Sequence, residues 1–189
     1  MFFKKKIKLE LFVKEYFLPL IDEIMESELD LLEGDITKYS NIIISKNALR
    51  FELFLLFVYL SGRGLSTING FNFDTAVNFP VLINDAMQEK FDKIKLNRKW
   101  LAEDQENLLN PILNYYKNKA TAYHEAEISY HNNQIDKDEL SRKIYIIFFS
   151  VENSKIKDGL AKIIGEIHKG SFFFLYEKLS DFSKEYRLI

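Results

Sequence analysis

The sequence predicts an all-α fold, a compact multi-helix bundle of about six to eight helices around a central apolar helix near residues 45–61. Three observations carry this expectation. Apolar residues recur at three- and four-residue steps along most of the chain, alternating strand patterns are almost absent, and cap-forming residues stand where several apolar stripes begin. At 189 residues, 47% hydrophobic and 29% charged, the chain suits a single all-helical domain over residues 1–189 whose core needs neither metal nor disulfide.

The first stripe is Leu9, Phe12, Val13, Tyr16, Leu20 and Ile24. Pro19 falls within it and predicts a kink or restart, because proline lacks the N–H and crowds the preceding turn. Gly34-Asp35 is read as its stop. Ser40 is read as the cap of the next helix, whose inner face is Leu49, Leu53, Leu56, Phe57 and Leu60; residues 53–60 are apolar on every side, as a helix surrounded by others would be. Gly62 is read as its C-terminal stop. Asp74 or Asn78 then caps a helix bearing Phe79, Ile83, Met87, Phe91 and Ile94, and a cap at Asn78 would put Pro80 in the first turn. Another helix is expected to begin near Arg98. Asn110-Pro111 reads as a cap followed by a first-turn proline, opening a polar stretch with Ile112, Tyr116, Tyr123 and Tyr130. DKDE over 136–139 is a capping box ahead of Leu140, Ile144, Ile147, Phe148 and Val151. A further stripe from Ile156 to Ile167 is read as ending at Gly170, with Ser171 capping a last helix that carries Phe172, Leu175, Tyr176, Leu179 and Phe182.

Composition narrows the chemistry. The absence of cysteine removes disulfides, thiolate metal sites and cysteine nucleophiles. After MFFKKK the apolar runs are too broken for a secretory signal, and the longest apolar run, Leu53–Leu60, is far short of the roughly 20 residues a bilayer span requires. A cytoplasmic location is the expectation. Net charge is −2, so no global field draws the chain to nucleic acid.

SGRGLSTINGFNFD, over 61–74, brings three glycines into nine positions. A Walker loop requires a Lys after its last glycine, and a dinucleotide fingerprint requires glycine where Thr67 stands. Anions are held by helix N-termini, whereas Gly62 and Gly64 follow a helix end, which Arg63 suits as a cation. The stretch is therefore read as an interhelical connector. His124, Glu127 and His131 step by three and four, but the two histidines lie nearly two turns apart, about 10 Å, too far for one ion. Residues 128–139 fail as a calcium loop because Ile128 and Tyr130 would occupy carboxylate positions. No nucleophile elbow is present, and no Arg precedes a His at the spacing used by one large class of helical ribonucleases.

Because each catalytic pattern fails at a named residue, the expected function is a non-catalytic protein-interaction module, an adaptor, regulator or assembly subunit that binds a protein partner or itself. No cofactor or metal is expected. The alternative is a helical bundle binding a small apolar ligand between Phe-rich helices such as FELFLLFVY, with Gly159 and Gly165 permitting close helix approach. A third reading is weak nucleic-acid binding through the basic run at 90–100. The candidate interaction surface is Arg63, Asn69, Lys93, Lys95, Arg98, Lys99 and Trp100. The acidic run Asp22–Asp35, seven acids without a base, is read chiefly as a solvated helix face.

Overall fold

The computed structural model describes residues 4–39, 44–68, 73–91, 94, 96, 100, 110–152 and 156–188. It is an all-α bundle. A short strand β1 (Lys5–Ile7) leads into α1 (Leu9–Phe12), a π-helical turn (Val13–Phe17) and α2 (Leu18–Tyr39). There follow α3 (Lys46–Thr67), α4 (Phe73–Phe91), α5 (Pro111–His131), α6 (Lys137–Phe149), α7 (Asp158–Glu185) and a strand β2 (Tyr186–Leu188). Six of these helices are longer than a dozen residues among the described residues, and α3 is the central one, touching α2, α4, α5, α6 and α7. Residues 53–60 are buried on every side, as their unbroken apolar character requires.

The disturbance expected at Pro19 takes a specific form. The Leu18 N–H donates to the Val13 carbonyl, five residues back, so the helix widens into a π turn just ahead of the proline. Tyr16 lies on that turn and packs edge-on to Phe182 of α7. The two strands were not foreseen. They pair in parallel, Lys5 with Tyr186 and Ile7 with Leu188, and so fasten the start of the chain to the end of α7.

Three predicted stops are corrected. α2 runs through Gly34-Asp35 to Tyr39, α3 through Gly62 and Gly64 to Thr67, and α7 through Gly170 and Ser171 as one helix of 28 residues. A glycine inside a helix costs only about 1 kcal/mol relative to alanine. In α7 the buried stripe Ile164, Ile167, Ser171, Leu175, Leu179 keeps its phase across Gly170, and its burial outweighs that cost. In α3, Gly64 faces α7, where a Cβ would stand in ordinary contact, 3.5 Å from Leu179 and 3.8 Å from the Tyr176 Cα. The supposed connector at 61–74 is thus helical through Thr67, with the Ser66 and Thr67 hydroxyls donating to the Arg63 and Gly64 carbonyls.

Caps sort similarly. Ser40 lies outside the described residues, and α3 is capped by Ser45, whose hydroxyl accepts from the Ala48 N–H at 3.2 Å. Neither Asp74 nor Asn78 caps α4, which has already begun at Phe73, so Pro80 stands inside the helix. The start expected near Arg98 lies outside the described residues. Asn110 and Asp136 do cap α5 and α6, accepting from Leu113 at 3.1 Å and Glu139 at 2.8 Å. α6 ends at Ser150 in the left-handed conformation, φ 55°.

The acidic run is partly neutralised within the fold: Asp22 pairs with Lys90, Glu26 with Arg50, and Glu33 with Lys46. Where α6 meets α7, Gly165 faces Ser141 so closely that a Cβ would fall 2.8 Å from the Ser141 Cβ. Rotating the serine hydroxyl does not relieve that contact. Gly165→Ala is therefore expected to cost about 1–3 kcal/mol by overpacking. Thermal unfolding of the single variant and of Gly165→Ala with Ser141→Gly checks this, the second change restoring most of the loss.

Candidate functional site

Polar groups concentrate at two places inside the bundle, both on α5. Tyr115, Lys119, Tyr123 and Glu127 step by four and so form one stripe along it. All four are buried.

At one end of the stripe, the Lys119 ammonium lies 2.5 Å from Glu52 Oε2 of α3 and donates to the Phe148 carbonyl of α6 at 3.1 Å. The Tyr115 hydroxyl donates to the other Glu52 oxygen at 2.7 Å. The ammonium also stands near the faces of Tyr115 and Trp100, 5.0 and 5.8 Å from their centroids. Burial pushes the Glu52 carboxyl above the ordinary glutamate value, and Lys119 and Tyr115 only partly oppose it.

At the other end, Glu127 joins three helices. The Tyr59 hydroxyl of α3 donates to its Oε2 at 2.5 Å, and Arg63, one turn further along α3, pairs with its Oε1. His168 Nε2 of α7 lies 2.9 Å from the same Oε1, within ion-pair range although short of an aligned hydrogen bond. Burial alone would push the Glu127 carboxyl up. The His168 contact, the Tyr59 hydroxyl and the Arg63 charge together outweigh it and hold the carboxyl below its ordinary value. Of this group Arg63 is the member that reaches solvent, its side chain 31% exposed and its guanidinium over the Phe172 ring at 4.9 Å.

A carboxylate held below its ordinary value is a poor proton acceptor near neutrality. Four surface grooves of about 290 to 400 Å³ are lined by other residues. The Glu127 group ties α5 to α3 and α7 through charge.

The sequence-predicted residues distribute as follows. Arg63 is on a helix, bound into the Glu127 group, rather than on a connecting loop. Trp100 donates from Nε1 to the Ser150 hydroxyl at 2.8 Å, and its carbonyl accepts from Asn118 at 2.7 Å, so it anchors the end of α6. Asn69, Lys93, Lys95, Arg98 and Lys99 lie outside the described residues. His124 and His131 are exposed while Glu127 turns into the core, so these three do not converge. The FELFLLFVY segment is buried throughout, with Phe51 and Phe54 both against Phe91 at 5.1 and 5.5 Å. No described helix is long and apolar enough to cross a membrane.

The missed residues left partial signals. Glu52 is a lone acid at the head of an all-apolar run, and such an acid requires a buried cation. His168 lies in the α7 apolar stripe beside Ile164 and Ile167, on the buried side of its helix.

The outer face of α7 is different in kind. Phe173 is 59% exposed, and Phe174 and Tyr176 are exposed beside it. Phe172 links them inward, its ring 5.8 Å from that of Phe173 and 6.2 Å from that of Tyr176.

Comparison of the chain with protein-family models, with curated proteins and with solved structures finds no match.

Proposed function

We propose that the chain is a non-catalytic helical interaction module, an adaptor, regulator or assembly subunit, and that the outer face of α7 is the surface it presents. The observation that supports this reading is Phe173. A phenylalanine 59% exposed in mid-helix, with two further exposed aromatic residues within three positions, gains nothing for the monomer. Exposed apolar surface of this kind marks interaction sites, and aromatic residues supply much of the binding energy where they occur. Charged side chains, Lys169, Glu177 and Lys178, rim the aromatic residues, the arrangement usual at protein interfaces.

The Glu127 group supports the same reading. It ties α7 to α3 and α5 through His168, little more than one turn from Phe173, so the aromatic face sits on a rigid support. A rigid surface loses less freedom on binding.

A photo-cross-linking residue placed at 173 and expressed in the protein's native cells tests this. One adduct of defined mass is expected at position 173, and none when the same probe stands at the exposed position 124. No adduct at 173 overturns the reading.

A further inference from the structure

Resting on the reading of the α7 outer face as the interaction surface, we infer that its partner is a second copy of this chain, docked helix to helix in antiparallel orientation across a twofold axis at Phe173.

The argument is one of symmetry. Two identical helices crossing antiparallel about residue 173 bring each residue a given number of positions after 173 opposite the residue the same number before it. A twofold interface is isologous, so the face must complement itself under that inversion. At 3.6 residues per turn, Lys169, Gly170, Tyr176 and Glu177 flank Phe173 on the same side of the helix, and all five are exposed. The inversion sets Phe173 on Phe173, Tyr176 on Gly170, and Glu177 on Lys169, each of the last two pairs occurring twice.

Each pairing is physically suitable. Gly170 carries no side chain and a Cβ built there meets nothing within 4 Å, so open space is left for the Tyr176 ring that the inversion lays over it. Lys169 and Glu177 carry opposite charges, and neither closes an ion pair within its own chain among the described residues. Of the next charges outward, Glu166 is held by Lys137 at 2.7 Å and Lys184 by Asp181 at 2.6 Å, whereas Lys162, which the inversion sets opposite Lys184, lies eleven positions from the crossing point. A parallel pairing in register would instead set Lys169 on Lys169 and Glu177 on Glu177. The charge pattern thus selects one orientation, and a partner unrelated to this chain would not need a face that complements itself about a single residue. The contact is one helix face on another, at the small end of specific interfaces, so the dimer is a reversible one.

Sedimentation velocity of the full chain, over about 1–500 µM, tests the assignment. The wild type is expected to pass from monomer to dimer within that range. Lys169→Glu or Glu177→Lys alone sets like charges on each other at both symmetric contacts, and each is expected to weaken dimerisation at least about tenfold. The double swap Lys169→Glu with Glu177→Lys reverses both partners and is expected to restore it. An equimolar mixture of the two single variants is expected to dimerise more strongly than either alone, because every facing pair is then opposite in sign. Circular dichroism of these surface variants verifies that each remains folded.

A wild type that is monomeric throughout, or a dimer indifferent to both single swaps, overturns the assignment. If the probe at 173 then gives an adduct of some mass other than twice the chain, the interaction module stands and only the second copy fails. If it gives no adduct, both fail.

Discussion

Replacing Lys119 by methionine is expected to cost about 3–5 kcal/mol at neutral pH, the usual effect of removing one member of a buried ion pair. Lys119 is 1% exposed, and it supplies the positive charge beside Glu52 and a donor to the Phe148 carbonyl. Methionine keeps the length and apolar stem of the side chain, so the loss comes from charge and hydrogen bonding rather than from a cavity. For a chain of this size a loss of that order lowers the melting temperature by about 6–20 °C. Two controls separate the mechanism from generic damage. The cost should shrink as the pH is lowered, because Glu52, already pushed up by burial, then takes a proton and no longer needs a cation. Glu52→Leu combined with Lys119→Met should recover much of the loss, since a buried pair replaced by apolar groups is often neutral or stabilising. Urea unfolding at two pH values measures all three chains. A Lys119→Met cost that is small and independent of pH would mean that the ammonium does not balance Glu52.

The helical class, the central position of residues 53–60 and the caps at Asn110 and Asp136 all rest on spacing within a few residues, which one sequence displays. The helix ends at Gly34, Gly62 and Gly170 were misplaced because a glycine signal is weak, about 1 kcal/mol, against continued burial of a stripe in phase. That burial becomes visible only when the neighbouring helix is in place, as Gly64 against Leu179 shows. The polar centres were illegible for a related reason. Sequence spacing groups Glu127 with His124 and His131, yet it turns inward to meet Tyr59, Arg63 and His168, which lie between 41 and 68 positions away. Spacing along one helix does not encode pairing between three. Arg63 reads as a surface cation, and of the two candidates among the described residues, Arg63 and Trp100, it is Arg63 that the fold draws into a charged cluster. The palindromic order of Lys169, Gly170, Phe173, Tyr176 and Glu177 stood in the sequence throughout. It acquires meaning once α7 is known to run unbroken through Gly170 with that side facing solvent.

Glu127 and Glu52 predict opposite signs of pH dependence, and the second large effect follows from the first of them. The ordinary glutamate value is 4.5; the fold holds Glu127 below it and Glu52 above it. For Glu127 the unfolded chain takes up its proton first as the pH falls. Its contribution is therefore complete above 4.5 and is lost as the pH drops through the folded value. For Glu52 the folded protein takes up the proton first, so its contribution is complete below 4.5 and is lost as the pH rises through the folded value. Their contributions therefore change on opposite sides of 4.5, that of Glu127 on the acid side and that of Glu52 on the alkaline side. Glu127→Gln keeps an acceptor for Tyr59 but removes the anion facing Arg63 and His168. It is expected to cost about 1.5–3 kcal/mol at neutral pH, the range for hydrogen bonds to a charged group. Because the wild type loses the same interaction in acid, the difference between the two chains should narrow below 4.5, and the acid limb of the variant should flatten. Chemical denaturation at intervals from pH 3 to pH 8 reads this directly. An equal cost at both ends would show that Glu127 does not enter the fold as an anion, and the tie between α3, α5 and α7 would then rest on packing alone.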